Sequence, residues 1–126
     1  MRLTNKMLNY DNLLREALAA VPEFKKEYDS LIEEDIIDNE AGMHIVFGYA
    51  FCPVLEEAIH NKNEKVIRAC FDFMEKMCSS PDDDVVAVCD QSITERLNDE
   101  FDEKTLRPLM GKNTEEGYNA IKRFFR

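Results

Sequence analysis

The chain has 126 residues, of which 44% are hydrophobic and 33% charged, and its formal net charge is −10. This length and hydrophobic share are typical of one folded domain, residues 1–126, and argue against a disordered chain. The excess negative charge argues against nucleic acids and anionic membranes as partners, and the longest apolar run, residues 45–55, is too short to span a bilayer.

Only four glycines and four prolines are present, so we expect few turns and long helices. The first helix has an apolar face at spacings of three and four, formed by Leu3, Met7, Tyr10, Leu14 and Leu18. Thr4 or Asn5 can cap it, and Val21 ends it because the residue before a proline avoids the α region. Pro22 suits the first turn of a second helix, whose apolar stripe is Phe24, Tyr28, Leu31, Ile32 and Ile36.

A third helix is predicted over residues 43–59. It is almost entirely apolar up to residue 55, which predicts a central, buried position. Pro53 lies inside it, so either the helix kinks there or two shorter helices meet. A strand over residues 45–51 is the alternative, because isoleucine, valine, phenylalanine and tyrosine all favour strands.

The next two helices have the clearest patterns. The first follows a turn at residues 61–64, which has capping-box character, and its inward residues are Val66, Cys70, Phe73, Met74 and Met77. Its predicted water-facing residues are Glu64, Lys65, Arg68, Asp72, Glu75 and Lys76. Ser80 is expected to cap the second, with Pro81 at its first position. The predicted buried face of that helix is Val85, Val86, Val88, Cys89, Ile93 and Leu97.

The last part of the chain predicts a short helix over residues 101–109, interrupted by Pro108, and then a turn at 111–113. Asn113 or Thr114 can cap a final helix whose inward residues are Tyr118, Ile121, Phe124 and Phe125. We therefore expect an all-α domain of about six antiparallel helices, arranged as a HEAT-like stack or a bundle.

The negative charge is concentrated in the middle of the chain. The stretch between Lys26 and Lys62 contains nine carboxylates and no lysine or arginine, and a second acidic stretch follows Met77. Such a field attracts basic partners, although charge runs are often only solvated surfaces. The first group of expected partner-binding residues is Glu33, Glu34, Asp35 and Asp38, and the second is Asp82, Asp83, Asp84 and Glu95.

No pattern of catalytic, cofactor-binding or metal-ligating residues stands out. The four cysteines form no Cys-x-x-Cys pair and lie in apolar segments, so we interpret them as small buried hydrophobic residues. Glu57 and His60 match one Glu-x-x-His motif, but a di-metal bundle needs two. Asp82–84 lack the spacing of a calcium loop, and helix capping explains them. We therefore expect no enzyme, no cofactor, no metal and no small-molecule substrate.

A resemblance to a known family rests on four segments within residues 44–98. They are Phe47-Gly48-Tyr49-Ala50, Phe71-Asp72-Phe73-Met74-Glu75-Lys76-Met77, Asp82-Asp83-Asp84-Val85-Val86-Ala87-Val88 and Ile93-Thr94-Glu95-Arg96-Leu97. This pattern of helices and an acidic turn resembles small helical immunity proteins of bacterial polymorphic-toxin systems, including contact-dependent growth inhibition. The resemblance implies a cytoplasmic antitoxin that binds and neutralises one cognate toxin.

Charge and resemblance together predict how such a protein would act. Nucleases are commonly basic because they grip phosphate backbones, so an acidic surface can occupy the active site of a basic nuclease toxin. One alternative is an acidic helical adaptor or regulator of another bacterial protein, which would bind through apolar contacts. Another is a DNA-mimic inhibitor of DNA-binding proteins, and a third is a metal-dependent enzyme that uses His60 with Glu57.

Overall fold

The computed structural model describes residues 7–124, except for the side chain of Phe124. Within this range the chain forms seven helices and no strand, so the all-α prediction is confirmed and the alternative strand at 45–51 is wrong. The first four are α1 (Leu13–Ala20), α2 (Pro22–Glu33), α3 (43–61) and α4 (Glu64–Cys78). The others are α5 (83–100), α6 (Glu103–Leu106, continued by the 3₁₀ turn Arg107–Leu109) and α7 (Lys112–Phe124).

Helix α4 lies at the centre of the fold. It packs against α1, α3, α5, α6 and α7, while α3 packs against α2, α4 and α5. Because α4 contacts helices from both ends of the described chain, the arrangement is a closed bundle and not an open stack. Between α2 and α3, the rings of Phe24, Phe47 and Phe51 have centroids 5.2–5.3 Å apart, and all three residues are fully buried.

A wider, π-helical turn allows α3 to continue through Pro53. The turn is Phe47–Phe51, and the N–H of Cys52 donates to the carbonyl of Phe47, five residues back. In that register Gly48 O would accept from residue 53, but proline has no N–H. Arg96 of α5 supplies the missing donor, because its Nη1 lies 2.7 Å from Gly48 O. Its Nε and Nη2 also donate to the carboxylate of Glu56, at 2.9 and 3.3 Å.

The predicted start of the first helix is wrong, whereas Leu14 and Leu18 of its predicted face pack against the core. Helix α1 begins at Leu13, and Met7 and Tyr10 precede it and are 62% and 40% exposed. The Asn9 and Asn12 side chains each accept a hydrogen bond from the other's backbone N–H at 2.9 Å, forming a turn that competes with helix. Leu3, which was predicted on this face, and Thr4 and Asn5, the predicted caps, lie outside the described residues.

Two other predicted buried faces need correction at their edges. Ile36 is 51% exposed, whereas Ile37 beside it is 6% exposed and belongs to the core. Val86 is only half-buried, whereas Phe71 of α4, which the pattern placed on neither face, is buried. Tyr118 and Ile121 of α7 are buried as predicted, while Phe125 and the side chain of Phe124 lie outside the described part.

The predicted cap of α5 is also wrong. The helix begins at Asp83, and its cap is Asp82, whose Oδ1 accepts from the N–H of Asp84 at 3.0 Å. Ser80 instead joins two segments, because its Oγ donates to Leu8 O at 2.8 Å and accepts from the N–H of Asp82 at 3.0 Å. Pro81 therefore precedes the helix and is not its first residue.

The structure corrects the predictions for Glu75 and for the start of α7 together. Glu75 is half-buried and not simply water-facing, because its carboxylate accepts from the backbone N–H and side chain of Asn113 and of Thr114, all at 2.8–2.9 Å. These two residues lie inside α7, so they are capped by Glu75 and do not cap the helix themselves. Burial alone would raise the pKa of Glu75, but the hydrogen bonds from Asn113 and Thr114 outweigh it and lower that pKa.

Candidate functional site

An open groove lies between the loop after α2 and the first half of α3. Its volume is about 600 Å³. The lining combines apolar and acidic side chains with a short backbone stretch, and consists of Asp35, Ile36, Ile37, Asp38, Glu40, Ala41, Gly42, Ile45 and Tyr49. Two of the four residues in the first predicted acidic group, Asp35 and Asp38, therefore lie in one groove.

The end of α2 determines which side chains of the loop reach this groove. Asp35 adopts a left-handed conformation, with φ of 64°, and the N–H of Ile36 donates to Leu31 O at 2.9 Å. This hydrogen bond across the helix end, together with a left-handed residue before it, is the Schellman arrangement. The chain reverses there, so Ile36 points outward and Ile37 points into the core.

The floor of the groove is an exposed apolar surface. Ile45 and Tyr49 are four residues apart on α3 and share one face, where they are 49% and 57% exposed. With Ile36, they are three of the five large hydrophobic residues that are exposed in the described part of the chain. The apolar run 45–55 predicted that these two positions are buried, and this is wrong for both. Exposed apolar patches of this kind mark interaction sites.

A fourth exposed large hydrophobic residue, Tyr10, lies next to the groove. The Tyr10 hydroxyl accepts a hydrogen bond from the N–H of Met43 at 3.1 Å, and its backbone N–H donates to Asp82 Oδ2 at 2.8 Å. Met43 follows Gly42, which lines the groove. Tyr10 therefore joins the start of α3, beside the groove, to Asp82 of the second acidic group.

The carboxylates at the groove are free of basic partners within the described chain. No ion pair among residues 7–124 involves Asp35, Asp38 or Glu40, and all three are exposed. Asp38 Oδ1 accepts from the N–H of Glu40 at 2.9 Å, which orients the loop. Glu33 and Glu34 are exposed at the end of α2, immediately before the groove, but do not line it.

The second acidic group has a mixed role. Asp82 is half-buried and structural, because it caps α5 and holds Tyr10, whereas Asp83 and Asp84 are exposed in the first turn of α5. Glu95 is half-buried farther along that helix and is not part of the groove lining. It lies near Asp90, whose carboxyl pKa is raised mainly by burial and also by the Glu95 charge. The groove therefore gathers only part of the eight predicted residues.

The histidines and two of the cysteines have structural surroundings. His44 Nδ1 lies 2.7 Å from Ser92 Oγ, and the Cys52 thiol donates to Ser92 O at 2.9 Å, so both join α3 to α5. Cys52 and Cys70 are buried as predicted, and burial is the main reason that the pKa of each thiol is raised to about 12. The ring of His60 packs against that of Phe101, with ring centroids 4.9 Å apart and an angle of 45° between the ring planes.

Sequence reasoning missed one cluster of possible ligands. Cys78 and Cys89 have sulfur atoms 3.3 Å apart, and Asp90 lies beside them. The search for Cys-x-x-Cys spacing could not find this pair because its members belong to different helices, 11 residues apart. The available signal was that Cys78 ends one helix and Cys89 lies on the apolar face of the next.

Comparison with known proteins places the chain in a family without adding an activity. No curated protein and no solved structure shows significant similarity to it. A family model described as a domain of unknown function, DUF7674, matches residues 14–126. That range contains the groove, both acidic groups and the cysteine pair. The chain therefore belongs to the DUF7674 family.

Proposed function

We propose that this protein is an immunity protein, which binds a basic cognate toxin through the acidic groove and blocks the active site of that toxin. The observation that carries the proposal is the exposed apolar floor of Ile36, Ile45 and Tyr49, bordered by the carboxylates of Asp35 and Asp38, which pair with no described basic residue. The proposed partner is a nuclease domain, and the protein itself has no catalytic role.

The groove has the anatomy of a protein-binding site. Interfaces typically have an apolar, aromatic-rich centre that loses its water and a polar rim that stays wet. Tyr49 is suited to be the central anchor, because it combines a large apolar ring with a hydroxyl. A partner bound in the groove would bury these apolar side chains, whereas a surface serving only solubility would not expose them together.

The charge of the rim defines the chemistry of the partner. Because Asp35, Asp38 and Glu40 make no ion pairs with described residues, a basic partner can bind them without displacing a described lysine or arginine. A field of this kind raises association rates by roughly 10–10³ at low salt. The choice of a toxin as the partner rests on the resemblance to immunity proteins, and the choice of a nuclease rests on the basic character of phosphate-binding clefts.

The first experiment separates the charge of the groove from the total charge. A quadruple variant removes four charges with isosteric amides: Glu33→Gln, Glu34→Gln, Asp35→Asn and Asp38→Asn. Asparagine tolerates the left-handed conformation at residue 35 and keeps the acceptor of residue 38. The control removes the same charge from four exposed carboxylates outside the groove: Glu57→Gln, Asp72→Asn, Asp99→Asn and Glu116→Gln.

Both variants and the unmodified protein would be used, with nucleases added, to capture partners from the native host and release them in a salt gradient. We expect one basic protein that the unmodified chain and the control retain to high salt. The groove variant should bind it with an association rate about 10-fold lower or more at low salt. Equal binding by the groove variant and the control would contradict the proposal.

The apolar floor is tested separately with Tyr49→Ala. A central anchor contributes about 2 kcal/mol or more to binding, so the Kd should rise by about 30-fold. Met7→Ala is the matched control, because Met7 is similarly exposed but does not line the groove. Equal effects of the two substitutions on the Kd would contradict the assignment of this floor.

Toxin neutralisation has its own readout. The captured protein, expressed alone, should stop growth, and co-expression of the unmodified chain or the control should restore it. Rescue should fail with the groove variant. A captured partner that does not impair growth would instead support the adaptor alternative. Capture of several unrelated DNA-binding proteins would support the DNA-mimic alternative.

A further inference from the structure

Two thiols and a carboxylate meet where α4 packs against α5. One possible ligand atom from each of Cys78, Cys89 and Asp90 lies within 4.8 Å of the other two. The two sulfur atoms are 3.3 Å apart. Ligand atoms that share one ion are separated by only a few ångströms, so a small adjustment of these side chains would suit a single cation.

The local structure explains how these three residues come together. Cys78 is the last residue of α4, whereas Cys89 and Asp90 belong to the π-helical segment Val88–Thr94 of α5. Segments of this kind are uncommon and often occur at functional sites. The site therefore joins two helices through three side chains.

One carboxylate oxygen of Asp90 is left without a hydrogen bond within the described chain. Asp90 Oδ1 is buried and has no hydrogen-bond partner among the described residues. The oxygen packs against Gly117 of α7, where the Cβ of any other residue would lie only 2.7 Å away, so α7 shields it from water. A buried polar atom without a partner costs about 1–3 kcal/mol, and a cation bound by this carboxylate would offset that cost.

We propose that Cys78, Cys89 and Asp90 form a Zn²⁺ site. Thiolates favour zinc over the hard cations calcium and magnesium, and zinc accepts a mixed set of sulfur and oxygen ligands. Tetrahedral zinc with bonds of about 2.3 Å holds two sulfurs about 3.8 Å apart, so the thiols would separate by about half an ångström. Cys78 and Asp90 are half-buried, so the cluster lies close to the surface, and we expect water as the fourth ligand.

The experiment is a titration of the reduced, full-length protein with Co²⁺ and then with Zn²⁺. The absorption spectrum of bound Co²⁺ shows whether thiolates are ligands, because thiolate-to-cobalt charge transfer absorbs in the near ultraviolet. We expect one metal ion per chain, a charge-transfer band that Zn²⁺ displaces, and an increase in Tm with Zn²⁺. Cys78→Ala and Asp90→Asn should each weaken Zn²⁺ binding by about 10-fold or more, since even outer contacts of metal sites contribute this much.

Cys70→Ala is the matched control, because Cys70 is a free thiol of α4 outside the cluster. It should keep the stoichiometry, the charge-transfer band and the affinity of the unmodified chain. Cys78 and Asp90 are half-buried, so their variants should fold even if Cys89→Ala does not. Binding that survives Cys78→Ala and Asp90→Asn would locate the ion on exposed aspartates and overturn the proposal. Absence of a charge-transfer band, or formation of a Cys78–Cys89 disulfide without metal binding, would also overturn it.

Discussion

Replacing Glu75 with alanine should be one of the more damaging single changes in the chain. The carboxylate accepts hydrogen bonds from two backbone N–H groups and two side chains in the first turn of α7. A charge-assisted hydrogen bond contributes about 1.5–3 kcal/mol, and loss of a helix cap costs about 0.5–2 kcal/mol. Because Glu75 is only half-buried, water can replace part of what is lost. We therefore expect Glu75→Ala to lower the free energy of unfolding by about 3 kcal/mol.

A second substitution and a control divide this effect into parts. Glu75→Gln keeps one acceptor oxygen but loses the other and the charge, so it should cost about half as much, or about 1.5 kcal/mol. Asp72→Ala changes an exposed carboxylate of the same helix, which should alter stability by less than about 0.5 kcal/mol. Urea unfolding monitored by circular dichroism gives all three differences. For a chain of this size, about 3 kcal/mol corresponds to a decrease in Tm of about 10 °C.

The effect should also depend on pH in a defined direction. The pKa of Glu75 is lowered in the folded protein from 4.5, because its hydrogen bonds outweigh burial. The stability that the carboxylate adds is therefore complete above the unfolded-state pKa of 4.5, and is lost as the pH falls through the lower folded-state pKa. The difference between the unmodified chain and Glu75→Gln should decrease between about pH 7 and about pH 3. A Glu75→Ala variant as stable as Asp72→Ala, or a difference that grows in acid, would refute this reasoning.

Two further substitutions test contacts that join distant segments. In Gly111→Ala the new Cβ would lie 2.5 Å from Glu75 Oε1, so the free energy of unfolding should decrease by about 1–2 kcal/mol. In the Glu75→Ala background this cost should vanish, and additive effects in the double-mutant cycle would contradict the contact. Arg96→Lys should lower the free energy of unfolding in urea by about 1 kcal/mol, because lysine cannot donate to Gly48 O and both oxygens of Glu56 together. Arg68→Lys, at an exposed position, is the control, and equal effects of the two substitutions would show that Arg96 does not support the turn before Pro53.

Helical periodicity predicted the elements well where one face is apolar and the other is charged. The inward face of α4 is an example, since Val66, Cys70, Phe73, Met74 and Met77 are all buried. It failed on α3, where the apolar residues surround the helix and no face is distinguished. There the packing of α2, α4 and α5 decides burial, and it leaves Ile45 and Tyr49 exposed.

Half of the first predicted acidic group lies in the candidate groove, and the reason is local. Asp35 and Asp38 were singled out by charge alone, and the reversal after α2 carries both to the groove. The exposure of Ile36, Ile45 and Tyr49 could not be predicted, because a sequence pattern assigns apolar residues to the core. Only the positions of the neighbouring helices show which of them stay uncovered. Asp82 was assigned both to partner binding and to helix capping. It does cap α5, but its contact with Tyr10, 72 residues away, could not be predicted from a local pattern.

The sequence by itself determined the helical class, the positions of most helices and the segregation of charge, because these properties depend on residues within a few turns of one another. The tertiary structure decided which side chains meet across the bundle. Glu75 contacts α7 at a sequence separation of 38 residues, and Arg96 contacts the π-helical turn of α3 at a separation of 48. Cys78 and Cys89 are 11 residues apart in sequence. No local pattern encodes such pairs, since each depends on how whole helices pack. The same packing leaves the apolar floor uncovered and borders it with carboxylates that no described basic residue neutralises.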